Sequence, residues 1–456
     1  MPSAVPPSSD AAPAGSSSSS SGLHIAIVGG GITGVNLALG LQERGVSFTI
    51  YERSRGLREI GAGIGFSPNA EWAMGVLSGG VAAAYDRVAN PNMEDYFQWV
   101  DGHGSDAVLF RLHVGRDGFR GCRRSDILEE WAKQLPPARV EFGKEIEAIS
   151  DGDGTPLELQ FRDGTSATAD VVVGCDGIHS QIRQLVLPKT SAAARANYTH
   201  KFCFRALVPM ERAVAAIGNY RAGARFMYNG PGAHVVTYPV GNNTVLNVLA
   251  VLSDAEAWSP PAESGGEQGK RHTASGNKQE AVAAFAGWHG TVRRIVDLLP
   301  DEMDKWAVFD MAEHPAPTYV RDCVCVAGDA AHATGPHLGA GGGMGIEDAL
   351  VLSELLAAVD RRLAIGGAGT VAEPKTVLVK AALATYNDVR YERTQDVVQS
   401  TRAACDLFQW QNPAVGSDGA KFGHEITKRF YKVWNYDVEA MVQDALVQFG
   451  VRVDQD

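Results

Sequence analysis

A glycine-rich turn near the amino terminus constrains the fold of this chain more than any other feature. Residues 24–34 read HIAIVGGGITG, an apolar run and then Gly29-x-Gly31-x-x-Gly34, and a second apolar run further on is followed by Glu52. This order predicts a strand, a tight turn, a helix and a second strand. In such a unit the first glycine turns the chain, the second admits a pyrophosphate to the backbone, and the third lets helix and strand pack closely. Glu52 stands where a carboxylate accepts ribose hydroxyls, so the segment predicts dinucleotide binding.

Composition and charge narrow the range of partners. The chain has 456 residues and a net charge of −12, and no Lys/Arg-rich run offers a phosphate track, which argues against nucleic acid. No apolar run reaches the roughly eighteen residues that span a bilayer, so no transmembrane segment is predicted. Residues 1–22 lack the apolar core of a secretory signal and are rich in Pro, Ala and Ser, which predicts a disordered tail on a cytoplasmic protein.

The order of apolar runs predicts an α/β fold, α+β overall, with a discontinuous Rossmann-like nucleotide-binding domain. Its first part is predicted at 23–190, where strands alternate with helices, and its second part at 313–375. Between them, at 191–312, an inserted antiparallel-sheet domain that covers a substrate is predicted from β-rich segments that follow one another without helices up to about residue 252. Two helices are predicted after these segments, around Glu280–Trp288 and near Val292–Leu299. Within this domain, 253–279 is polar and rich in Gly, Pro and Ser, which predicts a mobile surface loop. Residues 376–456 are predicted to be mainly helical.

Local patterns predict several element boundaries. A helix is predicted after Pro68, and Ser125 is predicted to cap the helix SDILEEWAKQL. The Asp-Gly pair at 163–164 predicts a hairpin turn. Among the six cysteines, Cys323 and Cys325 alternate on a predicted strand and lack zinc spacing, so no metal site is predicted and buried thiols are expected.

Three segments together carry a resemblance to a known family. After the glycine turn with Glu52, residues 171–183 read VVVGCDGIHSQIR and residues 324–336 read VCVAGDAAHATGP. In this order and spacing they resemble the motifs of class A flavoprotein aromatic hydroxylases, and the resemblance covers nearly everything after residue 23. It implies that FAD is bound by two separated parts of the chain, with NADPH or NADH as co-substrate. For Asp176, in the middle motif, the resemblance implies contact with FAD and the nicotinamide donor, and an ordinary acid after a strand is the alternative, so it is not assigned to the site.

Further cofactor residues follow from the resemblance and from helix chemistry. Asp329 closes a predicted strand, and its carboxylate can accept a ribityl hydroxyl, although a plain helix cap is the alternative. The predicted helix start near Gly342 can place backbone N–H groups at the pyrimidine edge of a flavin. The resemblance implies that the chain passes the flavin ring at Gly65 and that Arg124 reaches the FAD phosphates. Arg123, its neighbour, leaves that register open by one residue, and a solvated charge is the alternative for either arginine.

Two polar residues in apolar strands are the candidate catalytic pair. Arg205 lies in KFCFRALV and Tyr238 in AHVVTYPV. An unpaired arginine is costly to bury, so Arg205 either has a carboxylate partner or faces a polar cavity. The resemblance implies that both residues bind a phenolate. A cation lowers the pKa of a phenol, and the phenolate ring then attacks the oxygen of a C4a-hydroperoxyflavin.

The predicted function is that of a monooxygenase acting on a phenol. Similarity to fungal phenol hydroxylases of aromatic polyketide pathways implies a resorcylic aldehyde or ketone as substrate and O2 as oxidant, with dearomatisation where oxygen enters a substituted carbon. A salicylate-type decarboxylating hydroxylase is the alternative, with Arg205 on the substrate carboxylate. A flavin reductase that uses no oxygen is disfavoured because no second GxGxxG docks a nicotinamide. A protein that merely holds FAD is the remaining class, and oligomeric state is not predicted.

Five other residues receive structural interpretations. His332 and His337 flank Pro336 in the Gly-Asp segment and are expected to pack at or cap a helix start rather than to approach the flavin. Trp288, Trp306 and Phe309 are expected in the core.

Overall fold

The computed structural model describes residues 22–57, 62–150, 156–188, 190–259, 272–366 and 374–455. Residues 1–21 of the predicted tail and 260–271 of the predicted loop lie outside the described residues. The strands in the described ranges are β1 His24–Val28, β2 Ser47–Glu52, β3 Gly63–Gly65, β4 Tyr96–Asp101, β5 Val108–His113, β6 Gly121–Arg123, β7 Val140–Phe142, β8 Ile146–Ser150, β9 Leu157–Phe161, β10 Ser166–Ala169, β11 Val171–Gly174, β12 Asn197–Pro209, β13 Arg225–Gly230, β14 Ala233–Val240, β15 Val245–Ser253, β16 Thr273–Asn277, β17 Glu302–Asp310, β18 Val320–Arg321 and β19 Val324–Val326.

The α-helices in the same ranges are α1 Ile32–Glu43, α2 Pro68–Leu77, α3 Gly79–Val88, α4 Arg124–Ala132, α5 Gln181–Val186, α6 Met210–Gly223, α7 Lys278–Ala284, α8 Gly290–Val296, α9 Asp329–His332, α10 Gly341–Gly366, α11 Lys375–Phe408, α12 Gly419–Trp434 and α13 Val438–Val453. Within the described part of the chain, none of these helices is long and apolar enough to cross a membrane. The helical pattern predicted for the carboxyl-terminal region is confirmed by α11, α12 and α13.

A six-stranded sheet forms the nucleotide-binding layer, in the order β18-β19-β11-β1-β2-β7. β1 pairs in parallel with β2 and β11, and β11 pairs in parallel with β19. These strands are short apolar runs because helices cover both faces of a parallel sheet. Since β18 and β19 come from beyond the inserted segment, the predicted discontinuous α/β layer is confirmed.

An eight-stranded sheet forms the second layer, in the order β16-β17-β12-β15-β14-β13-β4-β5. Its central strands are antiparallel, as predicted, but β13 pairs in parallel with β4. The sequence did not predict β4 and β5, which precede the inserted segment. The expectation of no intervening helix is wrong at α6, whose Ala213 and Ile217 are four residues apart and both buried.

Three further boundaries were tested by the structure. The end of the predicted loop is the edge strand β16, which pairs with β17; an edge strand tolerates polar residues because one side faces solvent. Ser125 does not cap α4: the cap position is the extended residue Arg123, and the Ser125 hydroxyl bonds to Asp126 Oδ1 at 3.1 Å. The hairpin turn is confirmed, with Gly164 at φ +82° between β9 and β10. All six cysteines are free and buried, as expected.

Candidate active site

A cavity of about 340 Å³ opens where β1 ends, and we call it the glycine cavity. Its lining includes Gly29, Gly31, Glu52, Arg124, Asp176, Asp329 and Gly342. The Glu52 carboxylate is fixed beside the glycine turn because its Oε2 accepts a hydrogen bond from the Gly30 N–H at 2.7 Å. Carboxylate and glycine turn therefore face the same space, as the sequence predicted.

The three motif glycines have separate structural reasons. Gly29 has φ +105°, a conformation that side chains disfavour. A Cβ on Gly34 would lie 2.0 Å from the Gly29 carbonyl oxygen, so the contact of helix with strand excludes any side chain there. A Cβ on Gly31 would meet no atom within 4 Å. Gly31 thus leaves backbone exposed to the cavity, which suits the close approach of a phosphate.

The opposite wall of the glycine cavity is built by two helix starts. β19 leads through Gly328 into α9, which begins at Asp329, and α10 begins at Gly341. Gly342 lies in the first turn of α10, where backbone N–H groups have no partner within the helix. Arg124 lines the cavity, whereas the neighbouring Arg123 donates to Thr244 Oγ1 at 3.4 Å on the sheet side. This geometry favours Arg124 in the register that the sequence left open.

Asp176 borders the glycine cavity, but its carboxylate accepts hydrogen bonds from neighbouring groups of the protein. Its Oδ1 accepts from the Ser180 hydroxyl, and its Oδ2 accepts from the backbone N–H groups of Gln181 and Ile182. Burial raises the pKa of Asp176, and these hydrogen bonds oppose that change. The contacts describe an acid that anchors the start of α5.

A second cavity of about 360 Å³ lies on one face of the eight-stranded sheet, and we call it the sheet cavity. Gly65, Arg205 and Tyr238 line it. It shares part of its wall with the glycine cavity, namely Ile64, Arg124, Asp329, Gly341 and Gly342. A flat group that extends from one cavity would therefore reach the other at the start of α10.

The predicted pair, Arg205 and Tyr238, lies on the same face of the sheet. Arg205 pairs with Leu249, which pairs with Val236, two positions from Tyr238 and hence on the same side. The Arg205 guanidinium carbon is 3.4 Å from the centroid of the Trp306 ring, a cation–π contact that orients the cation. Burial raises the pKa of Tyr238, so its hydroxyl is protonated at neutral pH and can donate a hydrogen bond.

The structure agrees with some of the expectations for the aromatic residues and histidines and differs from others. Trp288 belongs to the core, as expected. Trp306 and Phe309 do not: both are partly exposed and line the sheet cavity, as do Ala307 and Val308 between them on β17. His332 is buried and bonds to Asp348 at 2.6 Å, consistent with packing. His337 is buried but also lines the sheet cavity, and burial lowers its pKa to about 3, which keeps it neutral.

Sequence reasoning did not single out Asn247 and Arg225, which are polar residues of the sheet cavity. Asn247 lies opposite Tyr238, and its Oδ1 accepts from the Gly63 N–H at 3.0 Å, which ties β3 to the sheet. The same signal that singled out Arg205, a polar residue in an apolar strand, marks Asn247 in TVLNVLAVLS. Arg225 is the first residue of its strand, a position where a charged residue is ordinary, so the surrounding sequence gives no comparable signal.

A buried ion cluster supports the wall that the cavities share. Glu347 and Asp348 on α10 and Arg390 on α11 are fully buried, and the arginine reaches the two carboxylates at 2.6 and 2.8 Å. Asp348 Oδ2 also accepts from the Gly328 N–H at 2.9 Å, in the turn before Asp329. The cluster thus connects the cavity wall to the carboxyl-terminal helices. In the described ranges, no group of acidic, His or Cys side chains could hold a metal ion.

Comparisons with known proteins agree with this geometry. The family described as FAD binding domain matches residues 23–366. The FAD-dependent monooxygenase orf3 of Aspergillus niger is 45% identical over 446 residues, covering 95% of this chain and 98% of its own. The FAD-dependent monooxygenase pigN of Monascus ruber is 46% identical over 439 residues, with coverages of 95% and 98%.

Among solved structures, a substrate complex of salicylate hydroxylase matches with a TM-score of 0.79 and 29% identity, covering 93% of this chain and 98% of that one. The resemblance seen in the sequence motifs is therefore confirmed across almost the whole chain. This chain belongs to the FAD-binding domain family and is a flavin-dependent monooxygenase.

Proposed function

We propose that this monooxygenase hydroxylates a phenolic aromatic polyketide of the resorcylic aldehyde or ketone type in fungal secondary metabolism, using NADPH or NADH and O2. The observation that carries the proposal is that Arg205 and Tyr238 lie on the same face of the sheet and both line a cavity that adjoins the glycine cavity. A cation and a hydroxyl donor are the two groups that a phenolate oxygen needs in order to be formed and oriented.

The glycine cavity fits FAD. Gly31 leaves room for the pyrophosphate, Glu52 stands at the adenosine end, and α10 offers unpaired N–H groups at the ring end. We assign Asp329 to a ribityl hydroxyl, Arg124 to the phosphates, and Gly65 to the passage of the chain beside the ring. When bound and reduced by the nicotinamide, FAD supplies electrophilic oxygen derived from O2.

The chain's own residues prepare the phenol. Arg205 favours loss of the phenol proton, because an opposite charge within a few ångströms stabilises the anion. The Tyr238 hydroxyl donates to the same oxygen and fixes which ring carbon faces the glycine cavity. Oxygen that enters a carbon bearing hydrogen gives a new phenol after proton loss. When oxygen enters a carbon that carries a substituent, the ring cannot regain its aromaticity by losing a proton, and the product is a dienone.

A salicylate-type decarboxylating hydroxylase is the second candidate. The solved salicylate hydroxylase complex favours it, and Arg205 could bind a substrate carboxylate. Supplying salicylate and 2,4-dihydroxybenzaldehyde in parallel, with oxygen and nicotinamide consumption followed, separates the two. We expect coupled consumption and a hydroxylated product with the aldehyde. Conversion of salicylate to catechol, with the aldehyde inert, would establish the alternative.

Replacing Glu52 by alanine is expected to weaken FAD retention on the order of 10- to 100-fold, since a hydrogen bond to a charged group contributes about 1.5–3 kcal/mol. The ratio of flavin to protein absorbance after gel filtration measures this loss. Glu141→Ala is the matched control, because Glu141 lies on the neighbouring strand β7 and is exposed. Equal FAD retention by Glu52→Ala and the control would remove Glu52 from the cofactor site.

Replacing Tyr238 by phenylalanine removes one hydroxyl and is expected to lower kcat about tenfold, the worth of one hydrogen bond. A loosely held phenolate should also yield more than one product. Chromatography of the products together with initial rates measures both effects. An unchanged rate with a single product would show that this hydroxyl does not orient the substrate.

A further inference from the structure

Of the arginines that line the sheet cavity, Arg225 is used neither by the sequence motifs nor by the proposed chemistry. It begins β13 and is only 5% exposed. Its Nη2 donates to Asn92 Oδ1 at 2.5 Å, while its Nε is buried without a hydrogen-bond partner. Over the ranges that the structure describes, no carboxylate lies within ion-pair distance of this guanidinium. The charge is therefore buried with one neutral acceptor.

Such a charge persists only if the cavity compensates it. Burial lowers the pKa of Arg225 to about 10, which still leaves the side chain protonated at neutral pH. Burying an ion whose hydrogen bonds are incomplete raises the free energy of the protein, and a hydrogen bond to a ligand oxygen would offset that increase. Arg225 lines the sheet cavity together with Arg205 and with Arg124 of the shared wall, so three arginines border the cavity.

The sheet register sets Arg225 apart from Arg205. Phe226 pairs with Thr237, which puts Arg225 beside Tyr238, and the guanidinium carbon is 5.6 Å from the Tyr238 ring centroid. Arg205 lies on β12, three strand spacings away across β15 and β14. At about 4.8 Å per strand, their backbones are separated by about 14 Å. This span accommodates one aromatic ring with oxygen substituents on both sides.

We infer that Arg225 is a specificity-determining anchor that binds a second oxygen of the aromatic substrate, anionic or carbonyl, on the side away from Arg205. The inference rests on the proposed function, and it adds a requirement: the preferred ring carries at least two separated oxygen acceptors. A dihydroxyaryl aldehyde or ketone meets that requirement, and a phenol with one oxygen does not.

The test compares two probes, 2,4-dihydroxybenzaldehyde and 2-methylphenol, on the FAD-loaded enzyme. Arg225→Gln removes the charge, Arg225→Lys keeps it, and Arg212→Gln removes an exposed arginine of α6 as the matched control. We expect Arg225→Gln to lower the ratio of kcat/KM for 2,4-dihydroxybenzaldehyde over 2-methylphenol at least tenfold, through KM. Arg225→Lys should recover part of this ratio, and Arg212→Gln should leave it unchanged.

Equilibrium binding separates this inference from the proposed function. Quenching of tryptophan fluorescence, to which Trp306 in the sheet cavity contributes, gives Kd for each probe without turnover. If the wild type binds both probes but hydroxylates neither, the proposed function fails, and the Kd ratio still decides the role of Arg225. An unchanged Kd ratio in Arg225→Gln would overturn the inference. So would an equal loss for both probes accompanied by loss of FAD, which would assign Arg225 to the cofactor.

Discussion

Replacing Arg205 by alanine is expected to leave FAD bound and to lower kcat for phenol hydroxylation about 100- to 1000-fold, the range seen when one preorganised electrostatic contact is lost. Arg205 lines the sheet cavity but not the glycine cavity, which is why cofactor content should not change. Without the cation the phenol stays protonated, and the ring carbon is a poor nucleophile. Nicotinamide oxidation should then release hydrogen peroxide in place of product.

Controls for Arg205 follow from its contact with Trp306. Arg205→Lys keeps the charge but loses the planar stacking, so partial activity is expected. Arg221→Ala removes a cation of α6 that is paired with Asp106, in the turn between β4 and β5, and should keep full activity. Product formation per nicotinamide consumed is the measurement. Turnover by Arg205→Ala at the wild-type rate would exclude Arg205 from the chemistry.

Replacing Arg390 by methionine is expected to lower the free energy of unfolding by about 3–5 kcal/mol, the cost of breaking a buried ion pair. The change leaves the carboxylates of Glu347 and Asp348 buried, with Arg393 still near Glu347 at 2.8 Å. FAD retention should fall as well, because Asp348 holds the backbone of Gly328 at the cavity wall. Guanidinium unfolding followed by circular dichroism measures the stability.

The control for Arg390 is Lys432→Met, which removes the exposed partner of Asp396 between α11 and α12. An exposed pair contributes about 0–1 kcal/mol, so this variant should unfold almost like the wild type. Equal stabilities of the two variants would contradict the role given to the buried cluster.

The deficit of Arg390→Met should depend on pH. Burial raises the pKa of Asp348, but the charges of His332 and Arg390 outweigh it and hold that pKa well below its usual range. The wild-type cluster therefore stabilises the fold above the unfolded carboxylate pKa of about 4 and loses this contribution as the pH falls further. In the variant the Arg390 charge no longer opposes protonation of the carboxylates, so the difference in unfolding free energy should shrink towards acid pH.

Local motifs could be predicted from the sequence, and contacts across the sheet could not. The glycine turn, Glu52 and the start of α10 each depend on residues close in the chain, so their pattern is visible in one segment. Arg205 and Tyr238 were identified through family resemblance and through their apolar surroundings. Arg225 became meaningful only when the register placed it beside Tyr238.

The buried ion cluster could not be predicted from the sequence for a related reason. Arg390 lies in a long helix with many charged residues, a composition that is typical of a solvated surface. Only the packing of α11 against α10 turns this charge inward and pairs it with Glu347 and Asp348. Similarly, α6 was missed because its neighbours in the sequence are strands, and Trp306 and Phe309 were expected in the core although β17 borders the sheet cavity.

The ionisation of a bound phenol tests the central claim most directly. The absorbance of 2,4-dihydroxybenzaldehyde distinguishes phenol from phenolate, so its pKa can be titrated while it is bound to the FAD-loaded enzyme in the absence of nicotinamide. On the wild type we expect the pKa of the bound phenol to lie about one to three pKa units below its value in water. On Arg205→Ala we expect the bound phenol to keep the pKa that it has in water. An identical pKa on both proteins would contradict phenol activation by Arg205.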